Sequence, residues 1–430
     1  MTQLDTLLQS TPLPPLVHVR QRFTDDAIAN PGEAVLQALE TSDLAARLPA
    51  GGDVAIGVGS RGLARLAEMV QAVVHWFCAH GAKPFIFPAM GSHGGGTAEG
   101  QRDVLAHLGI TEARVGCPIR CTMDVQAVDR LENGMSVYLD ALAARAGAIF
   151  MINRIKPHTG FTGAHESGLV KMAIIGLGKQ RGAEACHQFG YGLMADNLTR
   201  GCQSLLAHCP QILGGLAVVE NAYDKPCHIE FVPRETLIER DAALLCLARE
   251  RLGKLPVAQL DALLLQWMGK EISGAGMDPN VVGRAVSPFK QGELDCTKIG
   301  VLRLTPGSGG NACGVSIADV IPQSLHAAID MNVTYLNVLT STMLRAAHLP
   351  VVLSSEESVA RCLVRTCNPR HGAVRLMYLR DTANLEDFWV SKAVAEELAT
   401  HPRCQVDTEE HAFVFDAQGV CVFPDWERCY

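Results

Sequence analysis

Aromatic side chains make up only 5% of the chain, and nowhere do they interleave with a basic stripe of Lys and Arg. A surface for nucleic acid needs cations for phosphates and flat rings for bases, so that class of partner is excluded. Charge argues the same way: 37 Lys and Arg against 45 Asp and Glu leave a formal net charge of −8, which repels polyanions and anionic membranes. No apolar run reaches the roughly 18 residues that a membrane-spanning helix requires. The opening MTQLDTLLQSTPLPPLVHV lacks the basic start and long apolar stretch of a secretory leader, so a cytoplasmic location is expected. Cysteine itself is plentiful, but close pairs are missing. The 15 cysteines are scattered singly, Cys117 and Cys121 in CPIRC are the nearest two, and no C-x-x-C occurs. That absence gives no support to a zinc ribbon or a thioredoxin-type site, and buried, reduced thiols are expected.

What is present is an apolar chain, 48% by count, whose 430 residues exceed one ordinary core, so two domains are expected. The first half alternates. DVAIGVGS (53–60) is a short apolar run, residues 63–80 have helical apolar spacing that Gly81 can end, and KPFIFPAMG (83–91) is the next strand. Residues 97–109 read as a helix with Thr97 as N-cap and Gly109 as its stop. Residues 146–155 and 213–220 read as further buried strands, and 234–256 as a helix that closes the first domain. The alternation then restarts with strands at LDALLLQWMG, KIGVLRL, PVVL and AVRLMYLRD, and a hairpin in HAFVFDAQGVCVF. Strand followed by helix, repeated, predicts parallel sheets with covering helices.

Ligands of open α/β sheets bind beyond the carboxyl ends of the strands. Three predicted ends carry unusual polar residues: Arg61 in GVGSRG, His93 in AMGSHGGGT, and His158 in NRIKPH. In a parallel sheet these ends share one edge. Two histidines flanking a carbon can act as acid and base in turn, because imidazole titrates near neutral pH. Arginine can clamp a carboxylate through two hydrogen bonds. Lys171, in SGLVKMAIIG, has apolar neighbours whose desolvation would favour its neutral, nucleophilic form. His187, in GKQRGAEACH, can pack or ligate a metal. The glycine-rich turn with Gly91, Ser92 and Thr97 can serve a tight bend or hold a phosphate on its backbone N–H groups.

In order and overall spacing, Arg61, the GSHGGGTAEG turn, the KPH segment, GFTGAHESGLVK and EACH resemble the lactate racemase family over about residues 50 to 190. These are the nickel-pincer-nucleotide-dependent 2-hydroxyacid racemases and epimerases. The resemblance implies two α/β domains with mostly parallel sheets and an active site in the cleft between them. Residues 1–258 would carry the cofactor and the acid/base histidines, and 259–430 would close the cleft, with the final segment returning to the first domain. Lys171 would bear the covalently attached cofactor, pyridinium-3-thioamide-5-thiocarboxylic acid mononucleotide nickel. His187 would be the protein ligand to nickel. His93 and His158 would be the acid/base pair, and Arg61 would hold the substrate carboxylate. Gly91, Ser92 and Thr97 would contact the cofactor.

The segment from His158 to Lys171 is about three residues longer than the family's GYSGG-x-K pattern, and carries an additional His165 and Glu166. The second half resembles a divergent branch. There GKEISGAGMDPNVVGR is expected to bring Lys270, Asp278, Asn280 and Arg284 to the cleft, with Lys270 and Arg284 binding substrate. The expected substrate is a 2-hydroxy acid or sugar acid. The expected partners are the enzymes that build the cofactor, together with a further copy of the chain, but neither nucleic acid nor membrane. Two other classes stand beside this one: a divalent-metal lyase or hydrolase with His93, His158 and His187 as ligands, and a non-catalytic homologue that binds cofactor or ligand.

Overall fold

A computed structural model describes residues 3–60, 62–424 and 426. Its contacts divide the chain into Thr24–Leu252 and a second unit formed by Met1–Phe23 with Gly253–Tyr430.

The Thr24–Leu252 unit is built on a five-stranded sheet in the order Lys83–Pro88, Asp53–Val58, Ala148–Arg154, Ile212–Glu220, Pro226–Pro233. The first four strands run parallel and the last is antiparallel. The near-continuous apolar runs seen in the sequence follow from this position, because a covered parallel sheet buries both faces of each strand. Successive side chains alternate between two cores. Ala55, Phe87, Ile149, Met151 and Val219 pack on one face, and Val54, Ile56, Val58, Phe150 and Ile152 on the other. The helix Leu66–Ala79 covers the second face with Leu66, Met69, Val70, Val73 and Phe77, which recur at helical spacing. The first face is covered by residues 169–187 and by the helices Met194–His208 and Leu237–Arg251. Burial of each such Phe, Leu or Val side chain stabilises the fold by roughly 1.5–3 kcal/mol.

Val58 lies opposite both Pro88 and Ile152, so the three neighbouring strands end level at one edge. The chain leaves Asp53–Val58 toward Lys83–Pro88 on one side, and leaves Ala148–Arg154 toward Ile212–Glu220 on the other. The crevice between the carboxyl ends of these two central strands is therefore the topological switch point, where such sheets take ligands.

The second unit holds an eight-stranded sheet in the order Val351–Leu353, Val320–Pro322, Asp295–Leu304, Gln259–Met268, Leu376–Leu379, Asp387–Ser391, Leu16–Gln21, Cys404–His411. The first five are parallel and the last three antiparallel. The division differs from one at residue 258 in its start: Leu16–Gln21 sits between Asp387–Ser391 and Cys404–His411 in this sheet. The final segment thus returns to a stretch near the start of the chain, and that stretch belongs to the second unit. The expected hairpin at 411–423 is reduced to one bridge, Phe415 to Cys421, with Gly419 in its turn at φ +74°.

Candidate active site

The turn after Lys83–Pro88 is made by glycines. Gly91 has φ +59° and Gly94 φ +65°, in the left-handed region that glycine enters without a Cβ penalty. Gly91 also permits a close approach, since a Cβ there would stand 3.0 Å from the Ile175 side chain. Thr97 caps the helix Ala98–His107, its hydroxyl accepting from the Gly100 N–H at 3.0 Å. Ser92 is half-buried and His93 is exposed. The His93 ring is nevertheless oriented: its Nδ1 lies 2.7 Å from the Met90 carbonyl oxygen. A carbonyl only accepts, so Nδ1 carries a proton, and in the neutral ring the lone pair is on Nε2.

Residues 169–187 form an irregular helical segment, α from Leu169 to Lys171, π from Met172 to Gly176, and α again from Lys179 to His187. Lys171 sits where the α turn gives way to the π run, a wide turn closed by Leu177 N–H on the Met172 carbonyl at 2.8 Å. The run is pressed onto the strand ends, and the contacts need absent side chains. A Cβ on Gly59 would meet Asn153 and Met172 at 3.2 Å, and one on Gly176 would stand 2.8 Å from the Ala89 carbonyl. The segment bearing Lys171 therefore lies across the switch point, beside the 91–93 turn.

His187 ends the same segment, partly buried. Burial, and after it the positive charge of Lys171, pull its imidazole down to about 4, so the ring is neutral at neutral pH. Tyr191 bridges it to His158. The His187 ring meets Tyr191 edge-on at 5.8 Å between centroids, and His158 lies 6.1 Å from Tyr191 and 4.5 Å from the buried Phe161. The His158 Nδ1 accepts the Gly160 N–H at 2.9 Å, which puts its neutral-ring proton on Nε2. The two histidines at the strand ends are thus held in opposite tautomers.

The lengthened stretch between His158 and Lys171 is folded onto itself by the residues that mark it. The buried Glu166 carboxylate accepts from the His158 N–H at 2.5 Å and the Gly163 N–H at 3.1 Å, and pairs with Arg249 at 2.5 Å. The buried His165 donates from Nδ1 to Asp241 at 3.1 Å, and the other Asp241 oxygen accepts from the Val170 N–H at 3.3 Å, at the start of the Lys171 turn. Both insert residues are structural anchors for the flanks of the site.

His158 and His187 therefore both pack on Tyr191, Lys171 is close enough to His187 for its charge to act there, and Gly91 is packed against the Lys171 segment. Arg61 lies outside the described residues. Lys270 and Arg284 belong to the other unit. Lys270 Nζ donates to the Gly274 carbonyl at 2.6 Å and to Asn337 at 2.8 Å. Arg284 is engaged by Asp319 at 2.8 Å and by the carbonyls of Ile317, Cys296 and Thr297, which ties a loop to strand starts. Asp278 caps the short turn Pro279–Val282 through the Asn280 N–H, so this pair performs turn chemistry. Tyr191 belongs to none of the sequence motifs, its one signal being an aromatic four residues after His187, and Gln101 and Lys179 carry no such signal. Among the described residues no three His, Cys, Asp or Glu side chains gather as a metal-ligand set. His93, His158 and His187 accordingly do not gather as a three-histidine centre.

Among the described residues, no helix is long and apolar enough to cross a membrane. No family model and no curated protein matches the chain. Solved structures do. The lactate racemase apoprotein from Thermoanaerobacterium thermosaccharolyticum is similar with a TM-score of 0.51 at 12% identity, over 86% of this chain and 99% of that one. A structural-genomics crystal structure of a protein from Thermotoga maritima is similar with a TM-score of 0.50 at 12% identity, over 85% of this chain and 99% of the other. At such identity the likeness shows architecture: the chain has a lactate racemase-like α/β fold.

Proposed function

We propose that this protein is a 2-hydroxyacid racemase or epimerase that inverts the hydroxyl-bearing Cα of its substrate, with a nickel-pincer nucleotide attached to Lys171. The observation that carries the reading is the row of His158, Tyr191 and His187, with the Lys171 charge acting on His187, in a lactate racemase-like fold.

The residues present fit such a group. Lys171 directly precedes the π run and lies near the partly buried, neutral His187, whose unprotonated ring nitrogen is a donor suited to nickel. Lys171 would hold the group covalently and His187 would ligate its nickel. When bound, the group supplies an acceptor for the Cα hydride. The proton chemistry belongs to the chain. His93, with its lone pair on Nε2, is set to take the hydroxyl proton of one substrate enantiomer. His158, whose neutral ring carries its proton on Nε2, would donate a hydrogen bond to the substrate oxygen and, once protonated on Nδ1 as well, would give its Nε2 proton to that oxygen. A 2-keto acid would be planar at Cα, so inversion asks of the chain only that it let this species present either face. The two histidines exchange states in each turnover and reset with solvent or by the reverse reaction. Arg61 is assigned to the substrate carboxylate in this reading, and the substrate to the 2-hydroxy or sugar acids.

The test is intact mass and nickel content of protein co-produced with the cofactor-building enzymes, for wild type and Lys171→Ala. An adduct with stoichiometric nickel, both lost in the variant, is expected. Absence of both from the wild type refutes the reading. On the loaded protein, His93→Ala and His158→Ala should each abolish racemisation while keeping the adduct. Full turnover in either variant would sink the two-histidine scheme.

A further inference from the structure

Lys179 is wholly buried in a backbone conformation that disfavours it, with φ +53°. Burying an ammonium at a strained position is costly, and the site is furnished to hold it. Nζ donates to the Pro88 carbonyl and, at 3.0 Å, to the side-chain oxygen of Gln101. The carboxylate of Asp140, also wholly buried, stands 3.2 Å from Nζ, off the direction of a good hydrogen bond, so that contact is ionic. Asp140 is itself fixed, its other oxygen accepting from the Leu142 and Ala143 N–H groups.

This arrangement determines which way Gln101 points. An ammonium only donates, so the amide oxygen must face it and the amide NH2 must face away. There the NH2 meets two carbonyls, Gly91 at 2.8 Å and His93 at 3.2 Å. Gln101 is completely buried, so nothing from solvent can replace either bond. One buried cation thus ties the helix that ends in His187 to the turn that carries His93.

We infer that Lys179 is a positioning residue, which acts through Gln101 to lock the 91–93 turn and hold the His93 ring in its Nδ1-protonated form against the Met90 carbonyl. The importance of that tautomer for turnover rests on the function proposed above; the clamp does not. Lys179 touches no reacting atom. Its effect reaches the chemistry through the place and tautomer of one imidazole.

The experiment uses the full chain without cofactor, labelled with 15N-histidine, with His93 assigned by its loss in His93→Asn. Wild type is expected to show His93 protonated on Nδ1. Two variants break the clamp at different links. Gln101→Met keeps the volume and removes both donors. Lys179→Met combined with Asp140→Asn removes both charges together, so neither is left buried alone. In each variant that folds, the ratio of Nδ1-protonated to Nε2-protonated His93 should fall at least threefold, with the His158 tautomer unchanged. In the cofactor-loaded enzyme, kcat should fall at least tenfold while KM stays within threefold. A lower melting temperature with an unaltered His93 tautomer in either variant would overturn the proposal and leave the network a purely structural one. If the loaded wild type racemises nothing, the function above fails, and the tautomer ratio still decides the clamp.

Discussion

The His187 ring offers the sharpest quantitative test of the site. Its imidazole is drawn from 6.5 to about 4, by burial first and by the Lys171 charge second. The unfolded chain therefore takes up a proton on this side chain at a higher pH than the folded one. The sign follows: stability linked to His187 is fully present above the unfolded value near 6.5 and is lost as pH falls toward 4. A difference of about 2.5 units is worth roughly 3 kcal/mol in the limit, and roughly 2 kcal/mol is already lost at pH 5. The measurement is the 1H–13C titration of the His187 ring in the apo protein, paired with urea unfolding from pH 7 to pH 4.5. His187→Leu should lack this part of the acid limb. Lys171→Met should raise the midpoint and leave it below 6.5, because burial is the larger cause. A wild-type midpoint near 6.5 would refute the burial argument. A return to 6.5 in Lys171→Met would show that charge, and not desolvation, sets the shift.

Two further predictions concern the frame of the site, each with a control substitution. Gly176→Ala places a Cβ 2.8 Å from the Ala89 carbonyl oxygen and 3.0 Å from Met172, and should destabilise by about 1–3 kcal/mol in urea unfolding. Gly62→Ala, with open space around its Cβ, should change stability by less than about 0.5 kcal/mol. Asp241→Ala strips His165 of its partner and Val170 of its acceptor inside the core, and should destabilise by about 3–5 kcal/mol. Asp196→Ala, which breaks an exposed i,i+4 pair with Arg200, should change stability by less than about 1 kcal/mol by the same measurement.

Much of the architecture is local and could be read along the chain. The runs at 53–58, 83–88, 148–154 and 212–220 are apolar on both faces because each strand is covered on both sides, and a run of that kind announces itself without any partner. The helix Leu66–Ala79 shows its buried stripe, and Thr97 its cap, within a single turn of sequence. His158, Lys171 and His187 stand out because ionisable groups there interrupt apolar or glycine-rich surroundings.

Other features exist only through contacts between residues far apart. Leu16–Gln21 is a short strand whose partners begin near residue 387, and nothing within six residues tells which sheet will take it. The π run after Lys171 packs against Gly59, Ala89 and Gly91, which lie about 80 to 115 residues earlier in the chain. Arg284 is held by Asp319 and three carbonyls, partners that its own stretch of sequence does not name. The tautomers of His93 and His158 depend on whether a carbonyl or an N–H faces Nδ1, a matter of one rotation. The sequence alone determined which segments must be buried and which side chains can carry protons or a covalent group. Only tertiary structure decided which polar atoms face one another, because hydrogen-bond pairing is directional and short-ranged, whereas burial depends only on a residue's own surface.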